Sequence, residues 1–327
     1  MKEFNEKKIV KGFNEKKIIK GLVIIVICSI LLGVLGYVLE YKFGIIKSGD
    51  EIAQENNNSS NDKFNINTTK EFSKENIKTI NVETVSTDVN IITTKGDKIK
   101  INFYGNTNSK KTAPYLKANI NGENLDVLIK YPVVISIVSR NVKAKLDIYI
   151  PESYKNNLKI DTTSGDAIIG NLKLDKFKFD TTSGDANINV LTANETIFDG
   201  TSGEVNVKSL LSKKNEFDTT SGDIKIENIT GDILGGSVSG SFKFNYKDFG
   251  NNINIDTTSG DVELKLPKKS EFKLDFDSTS GDLKNDFPIT ITGEADKHEI
   301  EGTVGNGNKT IKIDTTSGNA TLNAFGE

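Results

Sequence analysis

A hydroxyl, a glycine and a carboxylate stand side by side again and again along this chain. Asp161-Thr162-Thr163-Ser164-Gly165-Asp166 returns at 180–185, as Asp199-Gly200-Thr201-Ser202-Gly203-Glu204, and at 218–223 and 256–261. It returns again as Asp277-Ser278-Thr279-Ser280-Gly281-Asp282 and at 314–319, where Asn319 replaces the acid. Three chemistries could use such residues. A serine nucleophile needs a histidine base in hydrogen-bond reach and an acid to orient it. The one histidine, His298, is eighteen positions from the nearest motif serine, Ser280, and lies outside the repeat, while every copy carries the same serine. Glycoside hydrolysis needs two carboxylates at one place in unlike environments. Here the acids form a regular column, and the chain has no Trp to serve as a sugar platform. Calcium needs about six to eight oxygens in a defined shell. The acidic column Asp166, Asp185, Glu204, Asp223, Asp261 and Asp282 weakens to Ser241 and Asn319, and no G-G-x-G-x-D nonapeptide occurs. No phosphate-binding G-x-x-x-x-G-K-[ST] loop is present either, and a single cysteine, Cys28, allows no intrachain disulfide. The residues therefore assign no catalytic, cofactor-binding or metal position, and the chain reads as a non-enzyme. A carbohydrate-active β-helix enzyme and a calcium-binding solenoid are the competing classes.

The elements that hold these corners are legible in the spacing. Gly165, Gly184, Gly203 and Gly222 are nineteen residues apart, and a decayed copy, Val238-Ser239-Gly240-Ser241, precedes Gly260. A fixed period near twenty residues is the mark of a solenoid. Five residues before each glycine stand Ile160, Phe179, Phe198, Phe217, Ile255, Phe276 and Ile313; two after it stand Ala167, Ala186, Val205, Ile224, Val262, Leu283 and Ala320. Alternation of this kind gives a strand with one buried face. Its parity changes three times per repeat, and each change spends one residue on a corner, so each coil should have three short faces. Gly is expected to supply corner backbone that L-residues disfavour. Thr163, Thr182, Thr201 and Thr220 should face outward, as should Asp161, Asp180, Asp199 and Asp218. The fold class is thus all-β: a parallel β-solenoid of ~19-residue coils preceded by one N-terminal transmembrane α-helix.

Domain boundaries follow from composition. Residues 1–20 carry seven Lys and three Glu, or +4 against a whole-chain charge of −3, and form a cytoplasmic basic tail. Residues 21–41 contain an uncharged run, Gly21–Leu39, long enough to cross the ~30 Å hydrocarbon core as a helix. Residues 42–76 are rich in Asn, Ser, Lys and Glu and read as a flexible linker. Residues 77–327 form the extracytoplasmic part: 77–158 an N-terminal cap and irregular coils, 159–284 the regular repeats, and 285–327 an insertion with the last coil. Asn121-Gly122 signals a hairpin, and the insertion around Gly305-Asn306-Gly307-Asn308 a second one. A mildly acidic body without a basic face excludes nucleic acid as a partner.

The repeated T-S-G-D followed by an alternating apolar pair, Leu146-Asp147-Ile148-Tyr149-Ile150-Pro151 before the first repeat, and Glu301-Gly302-Thr303-Val304-Gly305-Asn306-Gly307 before the last resemble the bacterial adhesin family typified by LiaG-like envelope proteins. The resemblance covers residues 77–327 and implies a membrane-linked β-solenoid with a part in adhesion or envelope-stress signalling. Its implied partners are the membrane, through a single-pass anchor, and an envelope protein or cell-surface glycan. It supplies no catalytic residue. Protease added to cells stripped of any wall should therefore digest the chain beyond Tyr41 and spare the Lys-rich tail. Protection of residues 77–327 would reverse this orientation.

Overall fold

Alternating Ile, Val, Leu and Phe turn most of the described residues into strands. The computed structural model, which describes residues 63–132, 141–292 and 298–326, joins these in one 24-stranded sheet. Nine coils stack among the described residues, each made mainly of two strands meeting at a motif corner. Coil 1 is Thr79–Thr84 with Asp88–Thr94, coil 2 Asn157–Thr162 with Ala167–Lys173, and coil 3 Lys176–Thr181 with Ala186–Thr192. Coil 4 is Glu195–Gly200 followed by the first part of Val205–Thr219, whose second part opens coil 5, closed by Ile224–Ile226. Coil 6 is Ile229–Ser237 with Phe242–Asn245, and coil 7 Ile253–Thr257 with Val262–Pro267. Coils 8 and 9 depart from chain order. Coil 8 is the last repeat, Thr310–Thr315 with Ala320–Phe325, and coil 9 is Phe272–Ser278 with Leu283–Asn285.

The expected fold class needs correction. Coil-on-coil pairing is parallel, but the sheet as a whole is mixed. Phe64–Ser73 pairs antiparallel with Lys98–Thr107, which pairs antiparallel with Val142–Pro151, itself parallel to coil 1. Tyr115–Asn121 and Asn124–Lys130 form the hairpin at Gly122, whose φ of 60° suits glycine. At the other end Glu299–Val304 runs antiparallel to Phe272–Ser278 and to Thr290–Ile291. The described residues therefore form an all-β mixed sheet rather than a purely parallel solenoid. Among the described residues no helix is long and apolar enough to cross a membrane, and the helix found there is the 3-10 turn Lys110–Thr112. The tail 1–20, the segment 21–41 with Cys28, the linker up to residue 62, and Arg140 lie outside the described residues. Phe64–Ser73 also corrects the linker reading. Only Ile66 of that strand is fully buried, so its sequence looks like a tether, and it is fixed by the ladder it makes with Lys98–Thr107.

Side-chain burial reproduces the three expected corners. Around coil 3 the inward residues are Ala186 and Ile188, then Leu191 and Ala193, then Thr196 and Phe198, with one parity change between each pair and another at the motif glycine. The ladder skips Asn189 at the first of these changes, so one strand spans two faces. Phe198 packs against Phe217 at 5.7 Å and Phe177 at 5.6 Å between ring centroids, and all three are buried. One repeat is a residue short: Gly222 and Gly240 are eighteen apart. The register shifts between Leu211 and Lys214, Gly231 takes a φ of 95°, and the buried Asn215 donates its amide to the carbonyl oxygens of Thr230 and Asp232 at 3.0 and 3.2 Å. Thr196 donates to the Asn215 amide oxygen at 2.7 Å. That buried polar group is thereby satisfied within the core.

The motif glycines have a different cause from the one expected. None has a left-handed φ. A Cβ at Gly184 would run into the carbonyl oxygen of Gly165, one at Gly203 into that of Gly184, and one at Gly222 into that of Gly203. The same holds from Gly240 through Gly260 and Gly318 to Gly281, in stacking order. Close approach, not backbone freedom, demands glycine here. At Gly200, by contrast, a Cβ meets nothing nearer than Thr181 Cγ2 at 3.4 Å. Gly200 stands where the other copies have the first Thr, or Ser237 or Ser278, so coil 4 lacks one hydroxyl. Gly203→Ala should therefore cost about 1–3 kcal/mol through overpacking, whereas Gly200→Thr should add about 1 kcal/mol by restoring a turn hydrogen bond. Urea denaturation measures both, and a stable Gly203→Ala protein would refute the stacking argument.

Candidate functional site: the repeated corner and the groove beside it

The first hydroxyl, the Ser, the Gly and the acid of the corner each have an identifiable partner in several coils, although the buried Oγ of Ser237, at the first-Thr position of coil 6, has none. The first Thr accepts the amide of the glycine three positions on: Thr162 from Gly165 at 2.8 Å, Thr181 from Gly184 at 2.7 Å, Thr219 from Gly222 at 2.9 Å and Thr315 from Gly318 at 2.8 Å. Ser278 does the same for Gly281 at 2.6 Å. The motif serines reach backward along the stack: Ser164 Oγ donates to the Val85 carbonyl, Ser183 to Thr163 and Ser280 to Thr316, at 3.2 to 3.3 Å. The acid reaches forward. Asp166 Oδ1 accepts the Asp185 amide at 3.0 Å, Asp185 the Glu204 amide at 2.8 Å, Asp223 the Ser241 amide at 2.8 Å and Asp261 the Asn319 amide at 2.7 Å. An amide oxygen serves equally well, since Asn319 Oδ1 accepts from Asp282 at 3.1 Å. The column that could have been read as a calcium ladder is thus a chain of backbone caps. Among the described residues no group of three or more His, Cys, Asp or Glu is placed to hold a metal ion.

One copy was hidden. Thr84-Val85-Ser86-Thr87-Asp88 aligns with Thr162–Asp166 through the pairings Thr84 with Thr162 and Val89 with Ala167. Thr84 Oγ1 accepts the Thr87 amide at 3.1 Å, and Asp88 caps the Asp166 amide at 3.3 Å. Its glycine position holds Thr87, which begins the column and meets the Tyr131 hydroxyl at 2.6 Å. Ser280 and His298 are held by other partners. His298 Nδ1 stands 3.0 Å from the Gly281 carbonyl oxygen, while Ser280 Oγ faces Thr316 and Ser317.

The outward Asp column is where charge accumulates. Neighbouring coils bring carboxylates ~4.8 Å apart, a repulsion of roughly 0.9 kcal/mol even at the dielectric of water. Lysines on the same face answer it. Lys159 Nζ lies 3.4 Å from Asp161 and 3.2 Å from Asp180, and Lys178 lies 2.9 Å from Asp180. Lys312 meets Asp275 and Asp314, each at 2.8 Å. Burial alone would lower Lys312, but its two carboxylate hydrogen bonds outweigh it and hold the ammonium above its ordinary value. In coil 4 the lysine position is Ile197. Burial and then the charge of Asp180 push Asp199 above the usual carboxylate range, against the pull of Lys178.

The neighbouring face carries a groove of about 340 Å³ across coils 2 to 5. Asn187, Asn189, Asn206, Lys208, Lys225 and Glu227 line it, with Ile168 more than half exposed at one end. Amides, two ammonium groups and one carboxylate can bind a hydroxylated or anionic chain by hydrogen bonds. This groove was not read from the sequence. Its residues are the outward members of alternating strands, whose types vary from coil to coil.

The model of the Toastrack DUF4097 family matches residues 77–323, from just before coil 1 through most of coil 8. The chain belongs to this family. Similar solved structures include a putative adhesin from Bacteroides fragilis, at 14% identity and a TM-score of 0.47, with 79% of this chain and 97% of that one covered. A putative lipid binding protein from Parabacteroides distasonis matches at 14% identity and a TM-score of 0.47, covering 78% and 96%. A putative adhesin from the same organism matches at 13% and 0.46, covering 78% and 97%. No curated protein matches the chain. The Toastrack match carries the assignment, and it agrees with the adhesin resemblance drawn from the T-S-G-D repeats.

The raised Asp199 gives a pH signature. A carboxyl with a native pKa above its unfolded value contributes stability below the unfolded pKa, and that contribution is lost as pH rises through the native one. Asp199→Asn should therefore melt higher than the parent at neutral pH, and the difference should vanish by about pH 3, where the parent carboxyl is protonated in both states. A lower melting temperature for Asp199→Asn at neutral pH would show that Lys178 dominates instead.

Proposed function

We propose that this protein is a non-catalytic extracytoplasmic interaction scaffold of the cell envelope, held single-pass at the cell membrane by residues 21–41, with their uncharged run Gly21–Leu39, and with the N-terminus cytoplasmic. The observation that carries this reading is the employment of the corner. The motif Ser and acid, which could have supplied a nucleophile or metal ligands, bond one coil to the next, the Gly packs against the Gly of the neighbouring coil, and the first Thr braces the turn within its own corner. What such a stack offers is a rigid lateral surface, and rigidity lowers the ordering cost of binding. Membership of the Toastrack family and the long unpaired faces support the same reading. The groove over coils 2 to 5 is the surface assigned to an envelope glycan or protein.

Two measurements test this together. Purified full-length protein incubated with isolated envelope glycan should release no product by mass spectrometry, and turnover would overturn the non-catalytic reading. Asn187→Ala with Asn206→Ala should keep the unfolding free energy within about 1 kcal/mol of the parent, as surface substitutions do, yet weaken retention of the protein on the glycan fraction. Unchanged retention would remove the groove from the proposal.

A further inference from the structure

The last repeat is not the last coil. Thr310–Thr315 pairs with Ile253–Thr257 on one side and with Phe272–Ser278 on the other, and Ala320–Phe325 likewise lies between Val262–Pro267 and Leu283–Asn285. Coils 7 and 9, joined directly in the chain through residues 268–271, are thus held apart by a repeat that arrives later. Before it arrives they bound a slot, and each wall offers a strand edge in the register of the repeat: Ile255 and Phe276 both meet Ile313. The glycine column is complete only with this coil in place, because Gly318 stacks on Gly260, and Gly281 on Gly318.

Residues 305–309 carry the chain into the slot. They reverse it from Glu299–Val304, on one side of Phe272–Ser278, to Thr310–Thr315 on the other. Gly305 and Gly307 both have a φ of 60°, and a Cβ on Gly305 would strike the Glu271 side chain. A short, tightly turned connector beside an element with a complete set of contacts is the usual precondition for exchange between copies. The repeat-coded register makes the exchanged pairing identical to the internal one, so the two arrangements differ mainly in the connector and in concentration.

We propose that coil 8 is an exchange element: residues 310–325 of one copy fill the slot between coils 7 and 9 of a second copy of this chain, and the two are joined through a shared core. This does not depend on the location or the non-catalytic reading given above. The test uses two full-length chains, each with Cys28→Ser. One carries Thr258→Cys and the other Thr316→Cys, positions that neighbour each other across coils 7 and 8, where the Ser317 amide bonds the Thr258 carbonyl at 2.8 Å. Co-expressed and then oxidised, the chains can form the 258–316 disulfide only between molecules. A control pair joins Thr258→Cys with Thr182→Cys, exposed on the same ridge but outside the exchanged coil. Exchange predicts that the 258–316 product exceeds the control on the order of a thousandfold, the ratio of a millimolar effective concentration to a micromolar bulk one. Deleting Asn306 and Gly307 should raise the dimer further, because the shortened connector cannot turn back. Equal yields from the 258–316 and 258–182 pairs would overturn the proposal, whether or not the deletion variant folds.

Discussion

The architecture rests on one contact, the carbonyl oxygen of one corner glycine against the Cα of the next. Any side chain there would push adjacent coils apart. Because none exists from Gly165 to Gly281, the coils close to strand spacing at the corner as well as along their faces. That closeness lets Asp166 reach the amide of Asp185, and lets Ser183 reach the carbonyl of Thr163. It also stacks the Phe198 and Phe217 rings in the interior. Interior packing, corner capping and outer charge all descend from that spacing.

The spacing explains what could be read in the sequence. Period, buried columns, the three corners and the outward placement of Asp161 and Thr163 are all local alternation, and alternation survives translation into structure. The reason for glycine was misread, because a type of residue does not reveal whether it answers torsion or crowding. The motif corner at Thr84–Asp88, within the stretch read as irregular coils, was missed because Thr87 starts the glycine column and is spared the crowding that requires glycine, so the letter most relied upon was absent. Phe64–Ser73 escaped notice for the opposite reason: an edge strand can be held by its ladder alone, with almost no apolar signal. The order of coils 7, 9 and 8 is invisible in principle to a periodic reading, since every repeat presents the same register to every other.

Repetition has an electrostatic consequence. A column of like residues concentrates charge that a single strand would not. The lysines at 159, 178 and 312 answer it coil by coil, Lys159 and Lys312 each between two carboxylates and Lys178 against Asp180. Exposed pairs of this kind are worth little individually, about 0–1 kcal/mol. Their importance lies in making a carboxylate ladder tolerable. Where Ile197 replaces the lysine, Asp199 feels its neighbour Asp180 more than a counter-ion. The repulsion is local to coil 4 and its neighbour.

The division of labour within each repeat bears on recognition. Corner residues recur because their partners are other copies of the same backbone, and a change in one coil must be matched in the next. The outward position three past the glycine is free of that constraint, and it runs Ile168, Asn187, Asn206, Lys225, Lys243 and Glu263 in successive coils. The Asn189 bend opens the groove beside the stretch where this column passes from apolar to amide to cationic. A repeat protein cannot write a binding site in its invariant letters, because those bind the protein to itself. Recognition must be written where the copies differ, and across coils 2 to 5 such differences are gathered along one concave surface.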